Sequence, residues 1–90
     1  MRKIVTTNRF KKDLELAKKR KLNLLELEKV VVKLANDEKL PDQYKDHPLK
    51  GTWVGFRECH IAPNWLLIYT LDDTELELIL LRTGTHSDLF

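Results

Sequence analysis

The sequence predicts an α+β fold in which a two-helix hairpin packs on one face of an antiparallel sheet. Two observations support this prediction. Residues 7–36 carry apolar side chains at helical spacing behind two candidate N-caps, whereas residues 54–81 alternate as strands do and are broken by short turns. A chain of 90 residues is expected to form a single domain, spanning 1–90.

The first elements are a short strand and a helix. Lys3 to Thr6 has the character of a strand, and Thr7 or Asn8 can cap the following helix, because their side-chain oxygens accept hydrogen bonds from first-turn amides. An apolar stripe at positions i, i+4 and i+7 predicts that this helix continues to about Arg20. The stripe consists of Phe10, Leu14 and Ala17.

A second helix is predicted from Asn23 to Asn36. Asn23 can cap it, and Glu26 stands three residues later as the second half of a capping box. Val30 to Val32 favour a strand by propensity, but the caps and the helical spacing extend well beyond these residues. That spacing is carried by Leu24, Leu27, Val31 and Leu34. Because only a residue or two separates the helices, they should form a hairpin with a shared apolar side.

Three strands are predicted after an ordered loop at 40–52, which contains two prolines and a glycine. Residues 54–61 alternate in polarity, and a turn at Pro63-Asn64 separates them from the strongly apolar stretch Trp65 to Leu71. Leu76 to Leu81 is apolar on both faces, which indicates an internal strand. These strands should form an antiparallel meander that carries the helices on one face.

The composition restricts the class of protein. Cys59 is the only cysteine, so no internal disulfide can form and a reducing compartment is expected. No stretch approaches the ~18 apolar residues of a membrane span, and the chain does not start like a signal peptide, so we expect a cytoplasmic protein without a membrane partner. Residues 1–21 hold nine Lys and Arg against two acids. This basic block suits phosphate, an acidic partner, or simply a solvated helix face.

Each of the three histidines stands among polar residues. His47 lies in the loop, His60 in a predicted strand, and His86 after the last strand. Residues two apart in a strand share a face, so Glu58 points the same way as His60. If the strands pair antiparallel, one rim of the sheet can collect these four residues together with Arg82.

Such a group predicts acid–base chemistry on RNA. Imidazole titrates near pH ~6.5, so a pair of histidines can supply one base and one acid. The base takes the proton of a ribose 2′-OH, that oxygen attacks the adjacent phosphorus, and the acid protonates the leaving 5′-oxygen. Cations offset the charge on the phosphate. The candidates for phosphate contacts include Lys45, Lys50 and Arg57.

Structural alternatives exist for several of these residues. His47 can simply close a turn, and Glu58 can form a strand-edge ion pair with a neighbouring cation. Several imidazoles and a carboxylate would suit zinc, but no compact His-x-His or His-x₃-His spacing is present, and we predict no metal site. Cys59 should face away from the histidines and be buried. Four aromatic residues can stack on bases, namely Tyr44, Trp53, Trp65 and Tyr69. For Trp65 and Tyr69 we prefer packing in the core.

Two longer stretches closely resemble one protein family. They are YKDHPLKGTWVGFRECHIAPNWLLIY, residues 44–69, and RTGTHSDLF, residues 82–90. Together they resemble the YafQ branch of the RelE/ParE superfamily, toxins of bacterial type II toxin–antitoxin pairs. The pairing of Asp-His-Pro-Leu-x-Gly with Arg-Thr-Gly-[Thr/Ser]-His is specific, and the basic hairpin fits in order and length. The resemblance implies a RelE-like fold.

The resemblance also implies an activity, namely ribosome-dependent cleavage of mRNA in the A site without metal or cofactor, which inhibits translation. It assigns His86 as the principal catalytic histidine, with His47 and His60 in support. Glu58 stands where a family member has aspartate and keeps the charge. 

Further residues take roles by the same resemblance. Arg82 and Phe90 match residues implicated in activity, through phosphate and nucleotide contacts. Gly84 would permit a bend before the last histidine. Asn64 departs from the family, which often has aspartate there, and an amide cannot accept a proton as a carboxylate does.

The implied partners are ribosome-bound mRNA, the 70S ribosome and a cognate antitoxin. Such an antitoxin is typically a ribbon-helix-helix protein whose acidic tail wraps the toxin, and only the complex would bind operator DNA. Two alternatives stay open. One is a ParE-like gyrase inhibitor that cleaves no RNA, although those relatives generally lack this histidine set. The other is a basic hairpin that only binds nucleic acid.

Overall fold

The computed structural model describes residues 1–90 and contains five strands and three α-helices. The elements are β1 (Lys3–Thr6), α1 (Asn8–Lys19), α2 (Leu24–Ala35), β2 (His47–Pro48), β3 (Arg57–Ala62), β4 (Trp65–Asp72), β5 (Glu77–Gly84) and α3 (His86–Leu89). Two 3₁₀ turns, Asp42–Tyr44 and Gly51–Trp53, flank β2.

The strands form one sheet in the order β1-β5-β4-β3-β2. β4 pairs antiparallel with β3 and β5, which is the predicted meander, and β1 joins β5 in parallel. The prediction of an α+β fold with an internal last strand is therefore confirmed, because β5 lies between β1 and β4. None of the helices combines the length and the apolar character needed to cross a membrane.

Both N-caps of the helical hairpin are confirmed. Thr7 Oγ1 accepts a hydrogen bond from Phe10 N at 3.0 Å, and Asn23 Oδ1 accepts one from Leu25 N at 3.1 Å. The predicted capping box at the start of α2 is wrong, because Glu26 pairs with Lys29 one turn later instead, at 3.2 Å. The Asn23 side chain alone therefore caps this helix end.

Apolar side chains are buried on both faces of the sheet. The larger cluster lies between the sheet and the helical hairpin. Its main members are Phe10, Ala17, Leu27, Val30, Leu34, Cys59, Leu67, Tyr69, Leu78 and Leu80. A smaller cluster on the opposite face contains Leu66, Ile68 and Leu89. Because both faces are covered, β4 is apolar at successive positions and not at alternate ones.

Two strand boundaries differ from the prediction. β3 begins at Arg57 and not at residue 54, because a 3₁₀ turn precedes it and Gly55 adopts a φ of 95°. β5 begins after Leu76, which lies in a turn with a φ of 53°, and it continues to Gly84. The extension carries the strand to within two residues of the last histidine, His86.

Candidate active site

The strand register brings the three histidines to one rim of the sheet. His47 in β2 lies opposite Glu58 in β3. His60 in β3 lies opposite Leu66 in β4, which in turn lies opposite Gly84 in β5. The last histidine follows Gly84 by two residues. Segments that are far apart in the sequence thus meet, and we name this group of three histidines and Glu58 the histidine cluster.

Glu58 lies between two of the imidazoles. Its Oε1 is 3.6 Å from His47 Nε2 and 3.7 Å from His60 Nε2, and only 6% of its side chain is exposed. The rings of His60 and His86 pack edge to face with 5.9 Å between their centroids. A buried carboxylate needs a nearby positive charge, and either neighbouring imidazole provides one when it is protonated. The cluster therefore places one buried carboxylate against two imidazoles.

The backbone fixes the orientation of His47. Its Nδ1 lies 2.6 Å from the carbonyl oxygen of Lys45, and because a carbonyl only accepts, Nδ1 is the nitrogen that donates. Nε2 is then left facing Glu58. Lys45 itself adopts a left-handed conformation with a φ of 49°, which directs its carbonyl toward the ring. The hydrogen bond to the Lys45 carbonyl therefore sets the tautomer of a neutral His47 ring.

His86 opens a one-turn helix that the sequence analysis did not predict. Thr85 Oγ1 accepts a hydrogen bond from Asp88 N at 3.1 Å, and Asp88 Oδ2 accepts one from Thr85 N at 2.9 Å. These reciprocal bonds form a capping box, and Leu89 is buried against the sheet. The spacing Thr-x-x-Asp was the signal that could have revealed this helix. Without such supports one turn of helix is unstable.

An ion pair joins this turn to the far end of α1. Arg20 donates from both terminal nitrogens to Asp88, at 2.6 Å to Oδ2 and 3.3 Å to Oδ1. The Arg20 guanidinium holds the pKa of the Asp88 carboxyl well below its usual range, helped by the Thr85 amide. Gly84 allows the close approach, because a Cβ there would lie 2.9 Å from Asp88 Oδ2. A glycine is thus needed at position 84 because a side chain there would collide with Asp88, in addition to the backbone bend that the sequence suggested.

This ion pair predicts a pH-dependent contribution to stability. Because the folded-state pKa of Asp88 is lowered, the stabilisation is complete above the unfolded-state pKa of about 4 and is lost as the pH falls through the folded-state value. Asp88→Asn should therefore lower Tm by a few °C at pH 7, and the difference should shrink steadily below pH 4. Thermal unfolding followed by circular dichroism measures it.

A matched control is Asp42→Asn, which removes an exposed carboxylate that forms no ion pair. The effect of Asp42→Asn on Tm should be small at pH 7, and it should not show the decrease below pH 4 that is expected for Asp88→Asn. A Tm difference for Asp88→Asn that stays constant from pH 7 to pH 2 would contradict the assignment.

Arg82 in β5 lies opposite Ile68 in β4, which lies opposite Glu58 in β3, and its guanidinium is already paired. Its guanidinium donates to Asp13 of α1, from Nε at 2.7 Å and from a terminal nitrogen at 3.1 Å, and Thr83 N donates to the same carboxylate at 3.1 Å. The hydrogen bonds to Asp13 raise the pKa of Arg82. Its role toward phosphate stays a prediction, and a phosphate would have to compete with this carboxylate. The pair also fixes α1 to β5.

The other predicted phosphate ligands are placed unequally. Lys45 lines a cleft next to His60, whereas Lys50 is exposed and is not in an ion pair. Arg57 is not brought to the cluster, because alternation along β3 puts it on the opposite face from Glu58. There its Nε donates to Asp46 at 3.3 Å. Arg57 therefore anchors the preceding loop, and among these three cations Lys45 is the one at the site.

Aromatic side chains extend the rim on one side of the cluster. Phe90 is 57% exposed, and its ring centroid lies 6.3 Å from that of His86 and 6.0 Å from that of Trp53. Trp53 in turn packs edge to face on Phe56. We call Trp53, Phe56 and Phe90 the aromatic row. Trp53, which the sequence offers as a residue that can stack on a base, lies in this row beside the site.

Several alternatives are settled by burial. Cys59 is completely buried among core residues, and burial raises the pKa of its thiol, so it is no nucleophile. Trp65 and Tyr69 are core residues, 3% and 1% exposed, as predicted. Asn64 is exposed in the turn between β3 and β4.

The same donors also form a set that suits a metal ion. One ligand atom each from Glu58, His60 and His86 lie within 4.8 Å of one another. Two imidazoles and a carboxylate are a common ligand set for transition metals. The histidine spacing in the sequence does not reveal this set, because two of the ligands come from β3 and the third comes from α3, 26 residues after His60. A metal bound there would occupy the lone pairs that acid–base chemistry needs.

Comparison with known families decides among the classes of protein with this fold. The family model described as bacterial toxin of type II toxin-antitoxin system, YafQ, matches residues 2–90. The chain belongs to the YafQ toxin family. This match confirms that the resemblance, which the two stretches and the basic hairpin indicated, covers essentially the whole chain.

Individual relatives of this family agree in sequence and in structure. The chain is 43% identical to the mRNA interferase toxin YafQ of Escherichia coli K12 over 90 residues, covering 99% of this chain and 96% of the relative. A metal-bound toxin from Helicobacter pylori superposes with a TM-score of 0.95 at 47% identity, with both chains covered completely. The DinJ–YafQ complex of E. coli gives a TM-score of 0.90 at 43% identity, covering 100% of this chain and 99% of that one.

Proposed function

We propose that this chain is an mRNA interferase, an endoribonuclease toxin that cuts mRNA in the ribosomal A site and so inhibits translation. The observation that carries the proposal is the histidine cluster, in which imidazoles from three separate segments meet around one buried carboxylate. Membership of the YafQ family and the name of the E. coli relative support it. No cofactor is needed for the chemistry described next.

The proposed reaction is attack by a ribose 2′-OH on the neighbouring phosphorus. One imidazole of the cluster takes the hydroxyl proton, the new P–O2′ bond forms, and the P–O5′ bond breaks. A second imidazole gives its proton to the departing O5′, so the products are a 2′,3′-cyclic phosphate and a free 5′-hydroxyl. Glu58 stabilises whichever imidazole is charged, and His86 is exposed at the rim, where a substrate can reach it.

Contact with the ribosome is the second part of the proposal. Five cations on or next to α1 are exposed and free of ion pairs: Arg9, Lys11, Lys12, Lys19 and Lys21. A basic patch of this kind attracts the phosphates of RNA over distances near the Debye length. Ribosomal RNA would supply those phosphates, and the bound ribosome would hold the message against the histidine cluster.

Neutralisation by a cognate antitoxin is the third part. The E. coli relative forms a complex with DinJ. We infer a partner of the same kind here, a ribbon-helix-helix protein with an acidic tail that covers the toxin. Operator DNA would then be bound by the complex and not by this chain alone.

The decisive experiment uses purified ribosomes carrying a short mRNA with the codon in the A site. Message with a single 2′-deoxy nucleotide on the 5′ side of the scissile bond should resist cleavage at that bond by at least about 100-fold, because the attacking oxygen is missing. The all-ribose message should give a 2′,3′-cyclic phosphate end. Primer extension and end-group analysis measure both results.

Two controls make the result specific. The same message without ribosomes should be cut far more slowly, and DNA supercoiling after induction in cells should be unchanged while translation stops. Equal cleavage of the deoxy-substituted message would exclude the 2′-OH route. Altered supercoiling with intact message would favour the gyrase-inhibitor alternative.

A further inference from the structure

A cleft of about 340 Å³ opens directly beside the histidine cluster. One wall is the segment from Gln43 to Lys45, and the other is the end of β3 with the turn after it, Ile61 to Pro63. His60 belongs to both the cleft and the cluster. A pocket of this volume lies at the small end of ligand sites, which run from about 300 to 1,000 Å³, and suits one flat group.

The two sides of the cluster therefore differ in chemistry. On one side the aromatic row offers ring surfaces, and Phe90 is exposed there. On the other side the cleft offers an amide from Gln43, the ring of Tyr44 and the ammonium of Lys45. Aromatic faces stack on any base, whereas an amide distinguishes bases by their edges, because it presents both donors and an acceptor.

The segment that carries Gln43 is held rigidly. It forms a 3₁₀ turn closed by hydrogen bonds from Tyr44 N to Pro41 O and from Lys45 N to Asp42 O, each at 3.0 Å. The Tyr44 ring packs partly against the larger core cluster. A polar group on a fixed turn can select a ligand, since little side-chain and loop freedom is lost on binding.

Asp46, which follows this turn, connects it to the sheet. The Asp46 carboxylate accepts from Tyr69 OH at 2.5 Å and from Arg57 Nε at 3.3 Å, which ties the end of the turn to β3 and β4. Arg57 lies away from the histidines, but its hydrogen bond to Asp46 helps to fix the Gln43–Lys45 wall of the cleft to the sheet.

We propose that this cleft binds the base of one nucleotide adjoining the scissile phosphate, with Gln43 reading the base edge and Tyr44 forming the wall. The base of the nucleotide on the other side of the scissile bond stacks on the aromatic row. This inference rests on the proposed mRNA cleavage. It makes the cleft the sequence-selective side of the site and the aromatic row the sequence-tolerant side.

The test measures cleavage on purified ribosomes of a set of mRNAs that differ only in the two nucleotides at the scissile bond. Gln43→Ala and Gln43→Glu should change the ratio of rates between the best and the worst message by about 3- to 10-fold, the worth of one hydrogen bond to a base edge. The change should follow one nucleotide position only. Phe90→Leu should slow all messages by a similar factor and keep their order.

Asn36→Ala is the matched control, because it removes an exposed amide at the end of α2, outside the cleft. It should keep the wild-type order and rates, and Tm measurements should find all variants folded. Gln43 variants that keep the wild-type ratio of rates between the best and the worst message, including variants that slow every message equally, would overturn the proposal while the cleavage function stands. Failure of the wild-type protein to cleave any message would overturn both.

Discussion

Replacing His86 by alanine should lower the rate of cleavage of ribosome-bound mRNA by about 10²- to 10⁴-fold, the usual worth of one general acid or base. His86 is exposed and packs against His60, so its replacement removes the proposed proton-transfer group and leaves the buried Glu58 in place. Single-turnover cleavage on purified ribosomes measures the rate. Growth arrest on induction should disappear in parallel.

The neighbouring Ser87→Ala is the matched control, since Ser87 is exposed on the same turn and neither residue contributes to the capping box. This variant should cleave at nearly the wild-type rate, and both variants should melt within a few degrees of wild type. If His86→Ala arrests growth as strongly as wild type does, the assignment of His86 as a catalytic residue fails.

Glu58→Gln should have the second largest effect, a loss of cleavage of roughly 100-fold or more. The amide keeps the shape of the side chain and removes the negative charge that faces His47 and His60 at 3.6 and 3.7 Å. In a site with 6% exposure of this side chain, water cannot replace that charge. A proton held by either imidazole is then less stable during the reaction.

The charge-conserving variant Glu58→Asp separates electrostatics from packing. It should retain activity within about 10-fold of wild type, because the carboxylate remains near both rings. Glu75→Gln, on the exposed turn before β5, removes one acidic charge far from the site and should leave cleavage unchanged. Equal activities of the Gln and Asp variants at position 58 would show that the charge is not what matters there.

Much of the fold follows from local signals in the sequence. The caps at Thr7 and Asn23 and the apolar spacing behind them specify both helices, and the alternation and turns specify the meander. The start of β3 was misplaced because Val54 and Phe56 continue the alternation, whereas the positive φ of Gly55 interrupts the strand. The alternation of polar and apolar residues does not reveal a turn of this kind.

The site could be predicted less completely, because its details depend on contacts between distant segments. Pairing of Arg82 with Asp13 spans 69 residues, and no local pattern encodes it. The same holds for Arg57, whose partner is decided by which face of β3 it occupies. The aromatic row and the cleft likewise arise only when the loop from residue 40 to 56 folds back on the sheet.

The two ion pairs of α1 have a mechanical consequence. Asp13 and Arg20 are seven residues apart, nearly two turns, so both project from the same side of this helix toward the segment from Arg82 to Asp88. The first helix therefore holds the C-terminal turn of the chain in position. A bound protein that moved this helix away from the sheet would break both ion pairs and displace His86 without contacting it.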